Sequence, residues 1–292
     1  MNPASKLASA AGRLAITAAS IRPVRAAARV LFRLLTPKRD IRVPLGGDSI
    51  YVRTPDRLIA VLLWKYSLDS SLEIETYRSR IRPGMTVLDV GANIGFLTLL
   101  FSKLAGGTGR VTAFEPDPEN FRLLSRNVAA NGRANVTCLH KAAASATGTL
   151  KLYFSEEHRG DHRIFDSGDG RKYVEVPAAA IDDVLGPGGR VDFIKMDIQG
   201  AEYLALLGME KTIKNSRGLV MLCEFSPDLL KKCGSDPEAL LQKFHEYGFS
   251  LNYLDEASHS VKSASPAELL ALCPGEKYLN LLLEKNMVSG QI

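Results

Sequence analysis

The sequence predicts an α/β protein, a doubly wound and mostly parallel sheet with helices between its strands. Two observations carry that expectation. From about residue 85, short β-branched runs alternate with amphipathic stretches of helical period, the pattern of successive βαβ units with right-handed crossovers. Four of those short runs end at an acid (Asp89, Glu115, Asp197, Glu224), where open α/β sheets place their ligand-binding loops.

Taken in order, residues 1–40 form a basic arm. Eight of the 37 Lys and Arg residues, and no Asp or Glu, fall within residues 1–39, so the remaining 29 face 32 acids and the body is net −3. The pI of about 9.0 therefore describes the arm, and a body without basic excess argues against a nucleic-acid partner. After Pro23, Arg22, Arg25, Arg29 and Arg33 share one side of a helical wheel and Leu31, Phe32, Leu34 and Leu35 the other. Such a helix either packs on the body or lies on an anionic membrane surface. Residues 41–84 read as a lead-in: β-like runs at 41–44 and 49–53, a helix at about 56–66, and a second in "SSLEIETYRSRI". Four widely spaced cysteines, without C-x-x-C, suit a reducing compartment. No run reaches the roughly 18 apolar residues of a membrane span, so a cytoplasmic protein with peripheral membrane contact through residues 1–39 is expected.

The catalytic domain is expected over residues 85–286. Strand 86–90 leads into a helix with Leu97, Leu100, Phe101 and Leu104 on one face, stopped by Gly106-Gly107. Strand 111–114 precedes a helix after Pro118 whose face is Phe121, Leu124 and Val128. Strand 135–139 follows. "TLKLYF" and "KYVEVP" read as two strands around a polar loop, 155–171. Strands at 191–196 and 219–223, a helix at 237–247, and strands at 249–254 and 278–283 complete the order.

The first chemical feature is "VLDVGANIGFLTLLFS". Gly91 allows close backbone approach to a ligand and Gly95 a tight helix start, while Asn93 tolerates the left-handed conformation. A pyrophosphate site wants G-x-G-x-x-G. Here the spacing is G-x-x-x-G, and Asp89 would repel a pyrophosphate but suits a ligand bearing an ammonium and a sulfonium. Glu115, at the next strand end, is placed to accept from ribose hydroxyls. S-adenosylmethionine is the ligand this combination favours; a nicotinamide dinucleotide oxidoreductase and a non-catalytic membrane-surface scaffold are the alternatives.

The segments "VLDVGANIGFLTLL", "VTAFEPDPENFRLLSRNVAANG" and "VDFIKMDIQGAEYLALLGM" resemble those of the FkbM-type methyltransferases, over about half the chain. The resemblance implies a Rossmann-like, seven-stranded sheet with a reversed last strand, S-adenosylmethionine as cofactor, and methyl transfer to a hydroxyl of a carbohydrate or natural-product small molecule. It places Asp89, Gly91, Ala92, Asn93 and Gly95 in the cofactor loop, Glu115 at the ribose, Pro116 and Asp117 at the adenosine edge, and Ala142 and Ala143 beside the adenine. Asp197, Gly200 and Glu202 form a second signature at the mouth of the site. Gln199 stands where the family often has an acid, which removes a carboxylate and argues against a metal there.

An alcohol is a poor nucleophile near neutral pH, so a base is expected beside it. Asp197 and Glu202 are candidates, as is His162 in the loop "SEEHRGDHRIF", where His158, Arg159, Asp161 and Arg163 stand near it. Glu202 in a helix's first turn equally suits the helix dipole.

Overall fold

The computed structural model describes residues 39–54, 71–155 and 161–285. The chain divides into two compact units, Met1–Asp69 and Ser70–Ile292. The basic arm over residues 1–38, the helix expected at about 56–66, and His158 with Arg159 lie outside the described residues.

In the first unit, β1 (Asp40–Leu45) and β2 (Asp48–Arg53) form an antiparallel hairpin. Its two-residue turn is Gly46-Gly47, with φ of +50° and +93°. Two positive φ values match the turn twist that a tight hairpin needs, and glycine supplies both without strain.

The second unit begins with helix α1 (Leu72–Arg80). Ser71 does not cap it; instead Glu256, 184 residues away from Leu72, accepts from the N–H groups of Leu72 and Glu73 (3.2 and 3.3 Å) and from the Ser71 hydroxyl. A carboxylate there satisfies orphan donors and meets the positive end of the dipole.

The main sheet contains β3 (Thr86–Val90), β4 (Arg110–Phe114), β5 (Val136–Leu139), β9 (Phe193–Met196), β10 (Val220–Phe225), β11 (Phe249–Asp255), β12 (Ser260–Ser263) and β13 (Leu279–Lys285). Their spatial order is β12-β11-β13-β10-β9-β3-β4-β5. Pairing is parallel from β10 through β5, and β13 runs antiparallel between β10 and β11. The reversed strand is therefore as the sequence implied. The count differs: β12 adds an eighth, edge strand antiparallel to β11. It is short, polar and exposed, so it carries no apolar alternation to announce it.

Helices α2 (Phe96–Ala105) and α3 (Pro118–Ala130) follow β3 and β4. Leu88, Val90, Phe114, Ile194, Met196, Met221 and Leu281, all buried, belong to the main core. β6 (Ala142–Ala143), β7 (Gly148–Tyr153) and β8 (Tyr173–Ala179) make a separate three-stranded sheet, with β7 and β8 antiparallel. Four short helices escape sequence periodicity: α4 (Ile181–Leu185), α6 (Glu210–Asn215), α7 (Pro227–Lys232) and α9 (Pro266–Leu272). The remaining helices are α5 (Glu202–Leu207) and α8 (Pro237–Glu246). No described helix is long and apolar enough to cross a membrane.

The strand order reverses between β3 and β9, because the chain builds outward from β3 to β5 and returns on the other side of β3. Ligands of open α/β sheets bind at the carboxyl ends of strands at such a switch point.

Candidate active site

Two loops meet at that switch point, the one after β3 and the one after β9. Gly91 has φ +87°, and a Cβ there would lie 2.0 Å from the Asp197 carbonyl oxygen. In the structure, the close approach that requires glycine at this position is to the neighbouring loop's backbone. Asn93 holds φ +52°, the left-handed conformation expected of it. Gly95 has φ +89°, and a Cβ would meet Leu124 of α3 at 2.7 Å. Ala92 is buried, and its N–H donates to the Phe114 carbonyl (2.9 Å).

Asp89 and Lys195 are register partners on adjacent parallel strands, so their side chains emerge on the same face. Asp89 is wholly buried. Its Oδ2 accepts from the Thr98 hydroxyl (2.5 Å), its Oδ1 has no hydrogen-bond partner, and the Lys195 ammonium lies 3.9 Å away. Burial raises its pKa, opposed by Lys195 and Thr98. Lys195 is also buried. It donates to the Gly91 carbonyl (2.9 Å) and stands 3.8 Å from Asp197. Burial alone would lower its pKa, but Asp197, Asp89, Glu73 and Glu224 together hold it above the usual lysine value. Lys195 escaped the sequence reading, although a lysine inside the apolar strand run "VDFIKM" was a visible anomaly.

Asp197 keeps an accessible side chain, 40 % exposed. Gln199, at φ +54°, donates through Nε2 to Asp197 (2.8 Å) and to Glu224 (3.1 Å). Where an acid would add a third carboxylate, the amide bridges two. Burial, with Asp197 and Glu202 nearby, pushes the Glu224 carboxyl up to about 9. Glu73 of α1 accepts from the buried Tyr77 hydroxyl (2.8 Å), and burial raises its pKa. Tyr278 is 58 % exposed. After burial, the field of Glu224, Asp197 and Glu73 raises its pKa.

Glu202 sits beneath the mouth, 1 % exposed. Its Oε1 accepts from the N–H groups of Ile198 and Gly200 (3.1 and 3.2 Å), and burial pushes the carboxyl up to about 7. It holds the turn that presents Asp197 and Gln199. Gly200, at φ +100°, would place a Cβ 2.6 Å from the Leu229 carbonyl.

At the end of β4, Glu115 is 5 % exposed. It accepts from the N–H groups of Asn93 (2.7 Å) and Asp117 (2.9 Å) and from the Asn120 amide (3.2 Å), and burial pushes it up to about 7. The carboxylate therefore ties the β3 loop to the β4 loop. Asp117 caps α3 by accepting from the Asn120 N–H (2.6 Å). The Pro116 carbonyl is 3.0 Å from His140 Nε2. His162 belongs to this side of the site: Nδ1 accepts from the Ser155 N–H (3.1 Å), Nε2 is 3.5 Å from Asp117, and the ring meets Phe154 edge-on. Ala142 and Ala143 pair with β8, and both side chains are buried.

Residues 89–251 match the family model described as the methyltransferase FkbM domain. "Methyltransferase sdnD" of Sordaria araneosa is 30 % identical over 157 residues, covering 43 % of this chain and 60 % of that protein. Protein-L-isoaspartate O-methyltransferase 1 of Arabidopsis thaliana is 29 % identical over 121 residues, covering 40 % and 49 % respectively. The chain thus spans about half to three fifths of the length of these curated relatives. Among solved structures, a methyltransferase FkbM from Methylobacillus flagellatus KT superposes with TM-score 0.43 at 18 % identity, covering 78 % of this chain and 53 % of that one.

Proposed function

Because the chain belongs to the FkbM methyltransferase family, we propose that it transfers a methyl group from S-adenosylmethionine to a hydroxyl oxygen of a carbohydrate or natural-product small molecule. The observation that carries this reading is the group at the switch point: Glu73, Asp89, Asp197 and Glu224 around a single ammonium, Lys195. Such a set suits a ligand carrying an ammonium and a sulfonium. The Oδ1 of the buried Asp89, 3.9 Å from the Lys195 ammonium, accepts no hydrogen bond and is an acceptor still to be satisfied.

S-adenosylmethionine supplies an electrophilic methyl group on sulfur, which leaves as a neutral thioether. The protein supplies position and a proton acceptor. In this reading Asp89, Gly91, Ala92, Asn93 and Gly95 form the floor under the methionyl part. Glu115 offers its remaining acceptor capacity to the ribose, and Pro116, Asp117, Ala142 and Ala143 border the adenosine. Asp197, the accessible carboxylate, takes the hydrogen bond and then the proton of the acceptor hydroxyl, while Lys195 offsets its charge. Glu202 and His162 serve as positioning residues, the first under the Asp197 turn and the second behind Asp117. The catalytic domain covers residues 85–286.

Calorimetric titration with S-adenosylhomocysteine, and with NAD in parallel, tests the cofactor. Micromolar binding of the first and none of the second is expected; binding of NAD alone refutes the reading. Products made from methyl-labelled S-adenosylmethionine are then treated with mild alkali. A methyl ether retains its label, whereas release as methanol would mean that a carboxylate, and not a hydroxyl, had been methylated.

A further inference from the structure

The opposite end of the sheet carries a feature that methyl transfer does not use. A cleft of about 910 Å³ opens where β3 and β4 begin, between the chain segments that leave α2 and α3 and the segment that enters β9. Lys103, Arg110, Arg133 and Arg190 line it, and no Asp or Glu is among its lining residues. Lys103, Arg110 and Arg190 are exposed and have no ion pair or hydrogen-bond partner among the described residues. Elsewhere on the surface Arg80, Lys214, Lys232 and Lys262 are each paired with a carboxylate. The loop Gly106-Gly107-Thr108 adds two backbone N–H groups, those of Gly107 and Thr108, that donate to nothing among the described residues. Gly107 and Gly132 both face open space, so backbone there is within reach of a ligand.

Charge arithmetic decides whether this cleft attracts anions. α2 and α3 turn their C-termini toward it, each presenting about half a unit of negative charge. Arg133 already has an interaction of its own, so the sum is taken over Lys103, Arg110 and Arg190; the helix ends offset about one of these three, which leaves a net of roughly two positive charges in a concave site. A planar guanidinium pair with free backbone N–H groups is the donor set that grips phosphate oxygens, by forked hydrogen bonds and by a backbone nest. A single carboxylate or sulfate would engage only part of it.

We propose that this cleft is a second binding site, for a compact polyphosphate-bearing ligand, held by Lys103, Arg110, Arg133 and Arg190 at the end of the sheet remote from the cofactor loops. The site is independent of the methyl-transfer reading. A phosphate chain is either free or part of a nucleotide, and the two sources share this chemistry.

The test is calorimetric titration of the full chain with sodium tripolyphosphate and with ATP at 0.15 M salt, where the screening length is about 8 Å. One-to-one micromolar binding of tripolyphosphate is expected, and ATP binding no weaker would identify the nucleotide as the occupant. R110E/R190E removes two forked donors and reverses both charges, so it should lose at least about tenfold in affinity, and it should still bind S-adenosylhomocysteine. K231E, an exposed charge reversal outside the cleft, should bind tripolyphosphate as the wild type does. No heat from either ligand with wild type overturns the proposal, as does an equal loss in K231E. If the double variant melts early, Arg190→Gln carries the test; its side chain is exposed and partnerless, so unchanged affinity there also overturns it. Because S-adenosylhomocysteine is read in the same samples, a failure of this site and a failure of the cofactor assignment give different patterns.

Discussion

Replacing Lys195 by methionine keeps the volume of a buried side chain and removes its charge. In the wild type the ammonium lies 3.9 Å from Asp89, 3.8 Å from Asp197 and 2.9 Å from the Gly91 carbonyl. Asp197 is accessible and water can replace the lysine there. Asp89 is wholly buried and would keep only the Thr98 hydroxyl. Breaking a buried pair by deleting one partner costs about 3–5 kcal/mol. At about 2–4 °C per kcal/mol for a domain of this size, the melting temperature should fall by about 6–20 °C near pH 8. The pH dependence separates charge from packing. Burial already holds Asp89 above the usual carboxylate range and Lys195 opposes that shift, so the variant's Asp89 titrates higher still. A carboxyl whose folded pKa is raised binds its proton more tightly folded than unfolded, so its contribution is intact at low pH and is lost as pH rises through the folded value. The deficit of K195M should therefore be largest at pH 8 and shrink toward pH 5. Calorimetric melts at both pH values read this directly. A fall of under about 2 °C at pH 8, or the same fall at both pH values, would refute the argument that Lys195 is there to neutralise Asp89.

Two further outcomes follow from the same geometry. Gly91→Ala forces a Cβ into the Asp197 carbonyl at a φ of +87°, and should lower S-adenosylhomocysteine affinity by at least about tenfold, whereas Asn93→Gly, at φ +52°, should leave stability within about 1 kcal/mol of wild type; paired calorimetric titrations and melts check both. Glu202, held near 7 when folded against an ordinary 4.5, binds more proton folded than unfolded, so its contribution to stability should decline between about pH 4.5 and pH 7 with a slope of up to about 1.4 kcal/mol per pH unit, and Glu202→Gln should flatten the profile in that window in denaturant titrations.

What the sequence disclosed was local. The alternation of β-branched runs with helical period is written within ten or so residues, as is the tolerance of Asn93 for a left-handed turn, and both are found in the fold. What it withheld depends on partners far along the chain. Gly91 owes its identity to a carbonyl on residue 197, the N-terminus of α1 is capped from residue 256, and Lys195 is explained only by its register with Asp89. Glu202 illustrates the limit from the other side. A first-turn glutamate beside a signature aspartate fits a catalytic role and a structural one equally in one dimension. The two N–H groups that donate to its Oε1, from Ile198 and Gly200, could not be read from its position in the sequence. The cleft at the far end of the sheet left no trace in the motifs, because its four cations come from four separate segments.

The reversed strand has a consequence for the order in which the molecule is put together. β11 is joined to the rest of the sheet only through β13, which is made later in the chain than both β11 and β12. During synthesis from the N-terminus, the hairpin of β11 and β12 therefore waits, edges open, until residues 279–285 arrive to wedge in beside β10. Glu256 lies just past β11, so the cap on α1, and with it the settling of Glu73 beside Lys195, waits as well. The acidic pocket at the switch point is completed last, by the strand whose Asn280 stands in register beside Glu224, and so a nascent chain does not hold its finished site before its sheet is closed.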